Sequence, residues 1–382
     1  MSRATKHTPA KPRSPIKPPE RCPSCGSRTI APRGSRAKKL ETVRLYRCKT
    51  CDRTFTPGPR ALRYKTYPLH EILDAVSTYN RGCSLKETSR RLSSRYGHTI
   101  DPATISRWLA AHPRLTTYRR LRDRGSALFT PPQLIQTFKL YHRQVYEFSL
   151  HRAKLAFVRA GTLDDRRRGD TRFAPLADFL ERAHRDCPHE IFRREDGARG
   201  SQLEPRFLSL DRLVVAEKQN TATDTAALII PSVGSNYDRH SRLQRFMLIN
   251  DSTTVAAEVP IFLLEDDIAA LEDHYGVTIV PKEPLRSPRP ALGHKRRFIT
   301  GHIDFLQVRN GAIHILDYKP DARTNKPIAQ LFIYALALTR LAPSLTLSDF
   351  RCAWFNEICY NEFAPGRLLR SRAEKRFFDE DF

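Results

Sequence analysis

The chain has 382 residues, 40% of them hydrophobic, enough for a packed core in each of two or three domains. Its 66 Lys and Arg outnumber 41 Asp and Glu, a net charge of +25, and no run approaches bilayer-spanning length, which argues against a membrane-spanning class. The excess is lopsided: Met1 to Thr130 carries 29 Lys and Arg against 8 Asp and Glu, and the remainder 37 against 33. A basic N-terminal third predicts a polyanionic partner, DNA, with steeply salt-dependent binding. No membrane partner is expected, and the expected location is cytoplasmic and nucleoid-associated.

Residues 1–20, rich in Lys, Arg and Pro, read as a disordered basic arm. Residues 21–60 carry Cys22-x2-Cys25 and Cys48-x2-Cys51 around a short strand-prone segment, a spacing close to the zinc ribbon. Four thiolates close a tetrahedron around Zn²⁺, so this metal is expected to be structural, with Tyr46 and Phe55 covering the apolar side. Redox pairs or disulfides are the alternative, disfavoured because the sequence shows no secretory signal.

Residues 65–125 read as a helix-turn-helix unit that begins with an amphipathic stretch from Leu69 to Tyr79. Ser84 and Glu87 form a capping box starting a helix over Leu85–Leu92, and Asp101 with Pro102 starts another that runs to Ala111. Ile105, Trp108 and Leu109 form the buried stripe of the latter, leaving Thr104, Ser106 and Arg107 to meet DNA. The connection Ser93–Ile100 is longer than the usual tight turn. An ordinary three-helix support domain is the competing reading.

Residues 130–165 read as linker helices: Leu134, Phe138, Tyr141, Val145, Phe148 and Leu155 are spaced for packing along Gln133–Arg159, as a link or a dimer seam. Residues 170–382 form the last expected domain, with helices over Ala174–His184 and Ala222–Met247, the second interrupted at Pro231 and Gly234. Pro281–Pro290 reads as a loop, and Lys295, Arg296 and Arg297 are either phosphate contacts or solvated surface.

Gly301 to Pro320, GHIDFLQVRNGAIHILDYKP, carries the chemistry. Asn310-Gly311 between apolar runs signals a type I′ hairpin. Arg309 then pairs with Ala312, and counting outward sets Asp304 opposite Asp317 and His302 opposite Lys319. Period two puts Asp317 and Lys319 on one face and Tyr318 on the other. Two carboxylates so close repel unless a proton or cation lies between them, and oxygen ligands suit Mg²⁺ or Mn²⁺. Lys319 stands where it could orient or deprotonate water. A surface hairpin with scattered charges is the alternative, disfavoured by apolar residues on both faces. Lys326–Leu341 reads as a helix carrying Gln330 and Tyr334 on one face.

Asp304, a spacer, and Asp317-Tyr318-Lys319 resemble the PD-(D/E)XK nuclease signature, in wording similar to its RecB-like branch. The resemblance implies a restriction-endonuclease-like α/β domain with a mixed central sheet, a metal held by the two acids, and a lysine acting on water. It also implies that Gln330 and Tyr334 position substrate or strand, and that an upstream Glu serves the metal. Glu258, in the strand-like run Thr254–Leu264, is the candidate, with Glu217, Glu265 and Glu283 as competitors. Some RecB-like members hold an iron-sulfur cluster, but the spacing of Cys187, Cys352 and Cys359 does not suit one. The N-terminal wording CPSCGS, RLYRCKTCDRTFT and DPATISRWL is similar to the zinc ribbon and helix-turn-helix of insertion-sequence transposases, without an RNase H-type Asp, Asp, Glu set.

The expected whole is an α/β protein: zinc ribbon, helix-turn-helix, linker helices and a Mg²⁺-dependent DNA endonuclease, in a mobile-element or defence setting. A homodimer would suit double-strand cutting, although sequential nicking would also serve. The alternative is a targeting or regulatory subunit of a transposition or defence complex whose nuclease domain is inactive alone.

Overall fold

The structure, a computed structural model, describes residues 21–369 except 58–65, 114–118, 165–167, 196, 207, 209–211, 231–235 and 283–296. The expected arm, most of Pro281–Pro290, Glu283, Lys295, Arg296 and the break at Pro231 and Gly234 lie outside the described residues. Two compact units divide the chain: Met1–Thr116 with Thr225–Leu243, and Thr117–Asp224 with Gln244–Phe382. Among the described residues no helix is long and apolar enough to cross a membrane.

In the first unit, β1 (Ile30–Ala37), β2 (Thr42–Cys48) and β3 (Thr54–Phe55) form an antiparallel sheet in that order. Tyr46 and Phe55 are buried together, ring centroids 6.4 Å apart, and pack with Cys22 and Cys48 into a small core. Helices α1 (Leu69–Asn80), α2 (Leu85–Tyr96) and α3 (Pro102–Ala111) follow. Ser84 Oγ accepts the Glu87 N–H at 3.1 Å, and the Asp101 carboxylate accepts the Ala103 N–H at 2.7 Å, so both starts are capped by the residues that signalled them. The end of α2 differs from expectation. The helix continues past Leu92 to Tyr96, where Gly97 terminates it at φ 69°, a conformation open to glycine at little cost. The connection therefore shrinks to Gly97–Asp101, and Ser93, inside the helix, accepts the Ile100 N–H at 2.9 Å. Ile72, Leu92, Ile105 and Trp108 are buried.

The second unit opens with α4 (Arg119–Leu128) and then corrects the linker-helix expectation. Gln133–Arg159 is mainly a hairpin, β4 (Ile135–Tyr141) and β5 (Val145–His151), with only α5 (Arg152–Arg159) helical. Alternation explains it: Leu140, Phe148 and Leu150 point inward while Tyr141, Val145 and Glu147 are exposed. Next come α6 (Ala174–Asp186), β6 (Ala198–Arg199), β7 (Leu203–Arg206) and β8 (Ala216–Glu217). Then follow α7 (Thr221–Ile229) and α8 (Asn236–Asn250), of which residues 225–229 and 236–243 belong to the first unit, and β9 (Thr254–Leu263), α9 (Glu265–Tyr275) and β10 (Thr278–Pro281). The chain closes with β11 (Ile299–Arg309), β12 (Ala312–Tyr318), α10 (Ile328–Leu341), β13 (Phe350–Phe355) and β14 (Tyr360–Phe363).

A large mixed sheet runs β4-β5-β9-β11-β12-β13-β14-β8, with β6 parallel to β11; β7 and β10 pair separately. The β12 to β13 step is parallel and takes α10 as its crossover. That helix is apolar all round, and Leu331 to Leu338 are all buried, as expected of a helix enclosed in a core. Every residue of β12 is buried, which disposes of the surface-hairpin alternative.

Two buried polar devices hold this frame. Lys154 of α5 has no exposed surface, and its ammonium donates to the carbonyls of Leu248 (2.7 Å), Asp251 and Thr254 (2.9 Å). These lie at the end of α8 and the start of β9, where a cation suits the helix dipole. At the other side of the sheet, Glu362 gathers Lys218, His314 (3.3 Å) and Arg309 (3.6 Å). Burial alone would raise the Glu362 carboxyl, but His314 and Lys218 hold it down to about 2.

Candidate active site

Asn310 and Gly311 turn the β11–β12 hairpin with φ of 51° and 67°, as a type I′ turn requires. The ladder then pairs Arg309 with Ala312 and continues to Phe305 with Leu316, the register read from the sequence. It stops one pair short of Asp304 and Asp317. There the Asp304 carboxylate accepts the Tyr318 N–H at 3.0 Å, in place of a backbone carbonyl. The ladder to β12 does not reach His302, which pairs instead with Pro260 of β9 while its ring meets His142 and Tyr146, correcting its expected pairing with Lys319.

The carboxyls of Asp304 and Asp317 are close enough to act on each other's ionisation, as two neighbouring acids in a buried site must. Burial raises both carboxyls, and a neighbouring acid raises each further: Glu258 raises Asp304, and Asp304 raises Asp317. Glu258 joins them from the opposite strand. The β9–β11 ladder pairs Val259 with Ile303 and Ala257 with Phe305 but skips the position between, where Glu258 stands across from Asp304. Glu258 has φ 52°, costly for a residue with a Cβ, and Gln244 donates to its Oε1 at 2.7 Å. Its carboxyl too is raised by burial and then by Asp317. Of the competing acids, Glu217 lies on β8 at the far side of the sheet and Glu265 opens α9.

Lys319 Nζ lies 2.9 Å from Asp317 Oδ2. Burial would lower the lysine, but Asp317 raises it on balance and holds the ammonium charged. The approach is an ion pair without hydrogen-bond alignment: Oδ2 is buried and has no hydrogen-bond partner. A buried carboxylate oxygen with unused acceptor capacity, beside two further acids, suits a hard divalent cation such as Mg²⁺ or Mn²⁺. The three acids do not close to the 4.8 Å mutual spacing of the cysteine cluster below. Mg²⁺ does not need that closure, because it keeps several waters and binds through one or two carboxylates plus phosphate.

Tyr334, on α10, is buried beside these acids, and Gln330 Nε2 donates to its hydroxyl at 3.1 Å, so the pair read from i, i+4 spacing is in contact. Arg297 is half-exposed and tied to Glu272 (3.0 Å) and the Ile279 carbonyl (2.8 Å).

A group of residues that sequence reasoning missed lies against the same strand. His302 Nε2 is 2.9 Å from His142 Nδ1, His142 Nε2 is 3.0 Å from His189 Nδ1, and His189 Nε2 is 3.0 Å from the His184 carbonyl. The Tyr146 ring stacks on His302 with centroids 3.6 Å apart, and Phe192 stacks on His142 at 4.0 Å. Burial lowers His142 to about 4. The one legible signal was His302 itself, two residues from Asp304 on the same strand face.

In the first unit the four cysteine sulfurs lie within 4.8 Å of one another, with Cys22 to Cys51 at 3.6 Å and Cys25 to Cys48 at 3.5 Å. Tetrahedral Zn²⁺ with bonds of about 2.3 Å requires sulfurs roughly 3.8 Å apart, so the cluster could hold structural zinc. The backbone N–H of Cys51, and then that of Thr50, hold the Cys48 thiol below its ordinary value. On α3, Ser106 and Arg107 are exposed and Thr104 is half-buried, with Arg107 Nη2 donating to Thr104 Oγ1 at 2.9 Å.

No protein-family profile, no curated protein and no solved structure matches the chain.

Proposed function

We propose that the chain is a divalent-metal-dependent DNA endonuclease with a PD-(D/E)XK-type site, targeted by a zinc ribbon and helix-turn-helix. The observation that carries this reading is the meeting of Asp304, Asp317 and Glu258 beside Lys319, with Asp317 Oδ2 buried and ion-paired to the Lys319 ammonium. Asp304 and Asp317 would hold Mg²⁺ or Mn²⁺, with Glu258 as the third acid. When bound, the ion supplies positive charge against the scissile phosphate.

The protein's own groups supply the rest. With its ammonium charged, Lys319 donates hydrogen bonds, orienting water or a phosphate oxygen at the open edge of the site. Gln330 and Tyr334 brace the strand behind Asp304. The basic first unit, with Ser106 and Arg107 exposed on α3, suits phosphate contact and DNA retention.

The test is cleavage of supercoiled DNA by purified protein in Mg²⁺, Mn²⁺ or EDTA, beside Asp317→Asn. Metal-dependent nicking that the variant lacks supports the reading. DNA binding without cutting in any metal moves it to a recruiting subunit of a transposition or defence complex.

A further inference from the structure

We propose that His142, Cys187 and His189 form a second transition-metal site, of zinc type, in the unit that carries the candidate active site. Nδ1 or Nε2 of each histidine and the Cys187 sulfur lie within 4.8 Å of one another. They come from two places in the fold: His142 from the β4–β5 turn, and Cys187 with His189 from the segment that ends α6. Among the described residues, this and the four-cysteine cluster are the groups of three or more ligands that meet this spacing.

The hydrogen bonds around the site are those of a prepared ligand set. The His184 carbonyl can only accept, so His189 Nε2 carries a proton, and in the neutral ring Nδ1 is bare and faces His142. A ring nitrogen donating to a backbone carbonyl while the other faces the metal is the usual outer-shell arrangement of a ligating histidine. His142 Nδ1 faces His302 Nε2 at 2.9 Å and accepts from it as long as the His142 proton is on Nε2. Without a cation, His142 Nε2–H donates to His189 Nδ1 across 3.0 Å. Two imidazoles on one tetrahedral ion stand about 3.3 Å apart, so replacing that proton requires only a few tenths of an ångström of separation.

Ligand chemistry selects the ion. Two imidazoles and a thiolate suit Zn²⁺ or Co²⁺ and not Mg²⁺ or Ca²⁺, and three protein ligands leave a fourth position for water. Binding displaces the thiol proton into solvent and shifts the one ring proton of His142 from Nε2 to Nδ1, with no net loss from the rings. It also leaves His142 to donate through Nδ1, so His302 must present a bare Nε2. The ion thus sets the tautomer of a residue two positions from Asp304 on β11.

The experiment is metal content per chain in the purified full-length protein after incubation with Zn²⁺ and desalting, for wild type, Cys187→Ser and His189→Gln. The proposal expects each variant to hold one equivalent fewer than wild type, whatever the four-cysteine cluster binds. Folding is checked by circular dichroism, and if Cys187→Ser fails to fold, the half-exposed His189→Gln carries the comparison. Equal zinc content in wild type and folded variant overturns the proposal. The readout is independent of DNA cleavage, so its failure and that of the nuclease reading are distinguishable.

Discussion

The Tyr334 ring fills the space beside Gly301: a Cβ added at Gly301 would lie 2.5 Å from Tyr334 Cε1, and one at Gly200 would lie 2.6 Å from the same atom. Two backbones therefore close on one aromatic ring behind Asp304. Gly301→Ala forces them apart and should cost about 1–3 kcal/mol by overpacking. Denaturant unfolding measures it, and Gly301→Ala with Tyr334→Ala should cost less than the two single changes summed. Additive costs would show that the ring and the strand do not compete for this space.

Metal binding should be visible without catalysis. Mn²⁺ should raise the thermal midpoint of the wild type by mass action, and Asp317→Asn should abolish that rise. In cleavage assays Lys319→Ala should lose on the order of 10²–10³-fold in rate, the usual effect of removing one preorganised donor. DNA affinity, measured by fluorescence anisotropy, should stay within a few-fold of wild type.

The Glu362 network sets the acid limb of stability. Its carboxyl titrates near 4.5 when unfolded and is held to about 2 in the fold. In that window the unfolded chain binds a proton that the native protein does not, so stability falls as pH drops from about 4.5 towards 2. Glu362→Gln should be less stable at pH 7 and show a flatter decline over that window. Parallel pH profiles for the two proteins would remove Glu362 as the cause.

Zinc removal should act locally. The ribbon's core is little more than Tyr46, Phe55 and the cysteines, so chelation or Cys25→Ser should release amide protection over residues 21–57. Helices α1 to α3 have their own buried residues, Ile72, Leu92, Ile105 and Trp108, and should keep theirs. Hydrogen exchange reads both, and retained ribbon protection in excess chelator would count against a folding role for the metal.

Arg107 is exposed on α3 beside Ser106, and Arg107→Ala should reduce the slope of log affinity against log salt by about 1. An unchanged slope would take this face of α3 out of the DNA interface.

Local chemistry made parts of this architecture legible. Asn310-Gly311 fixed a turn, the turn fixed a register, and the register brought Asp304 to Asp317, because each step depends on neighbours in the chain. Ser84 and Asp101 announced their helices for the same reason. The β4–β5 hairpin was opaque because its turn, His142-Arg143-Gln144, has no Gly, Pro, Asn or Asp, and Leu134, Phe138, Tyr141, Val145 and Phe148 also satisfy helical spacing. Glu258 could be nominated but not separated from other acids, since its place depends on strand pairing to β11. The histidine chain depends on contacts up to 160 residues apart, which no local pattern encodes.

The ammonium of Lys154 binds the strand bearing Glu258 to a helix about a hundred residues earlier, and β5 covers that strand's other edge. The catalytic-looking half is thus not a portable cassette starting near residue 170. Cut there, β9 would become a bare sheet border of unpaired amides and carbonyls, and three buried carbonyls would lose their shared donor. A transfer of this sheet into another protein would have to carry the β4–β5 hairpin and α5 along with it.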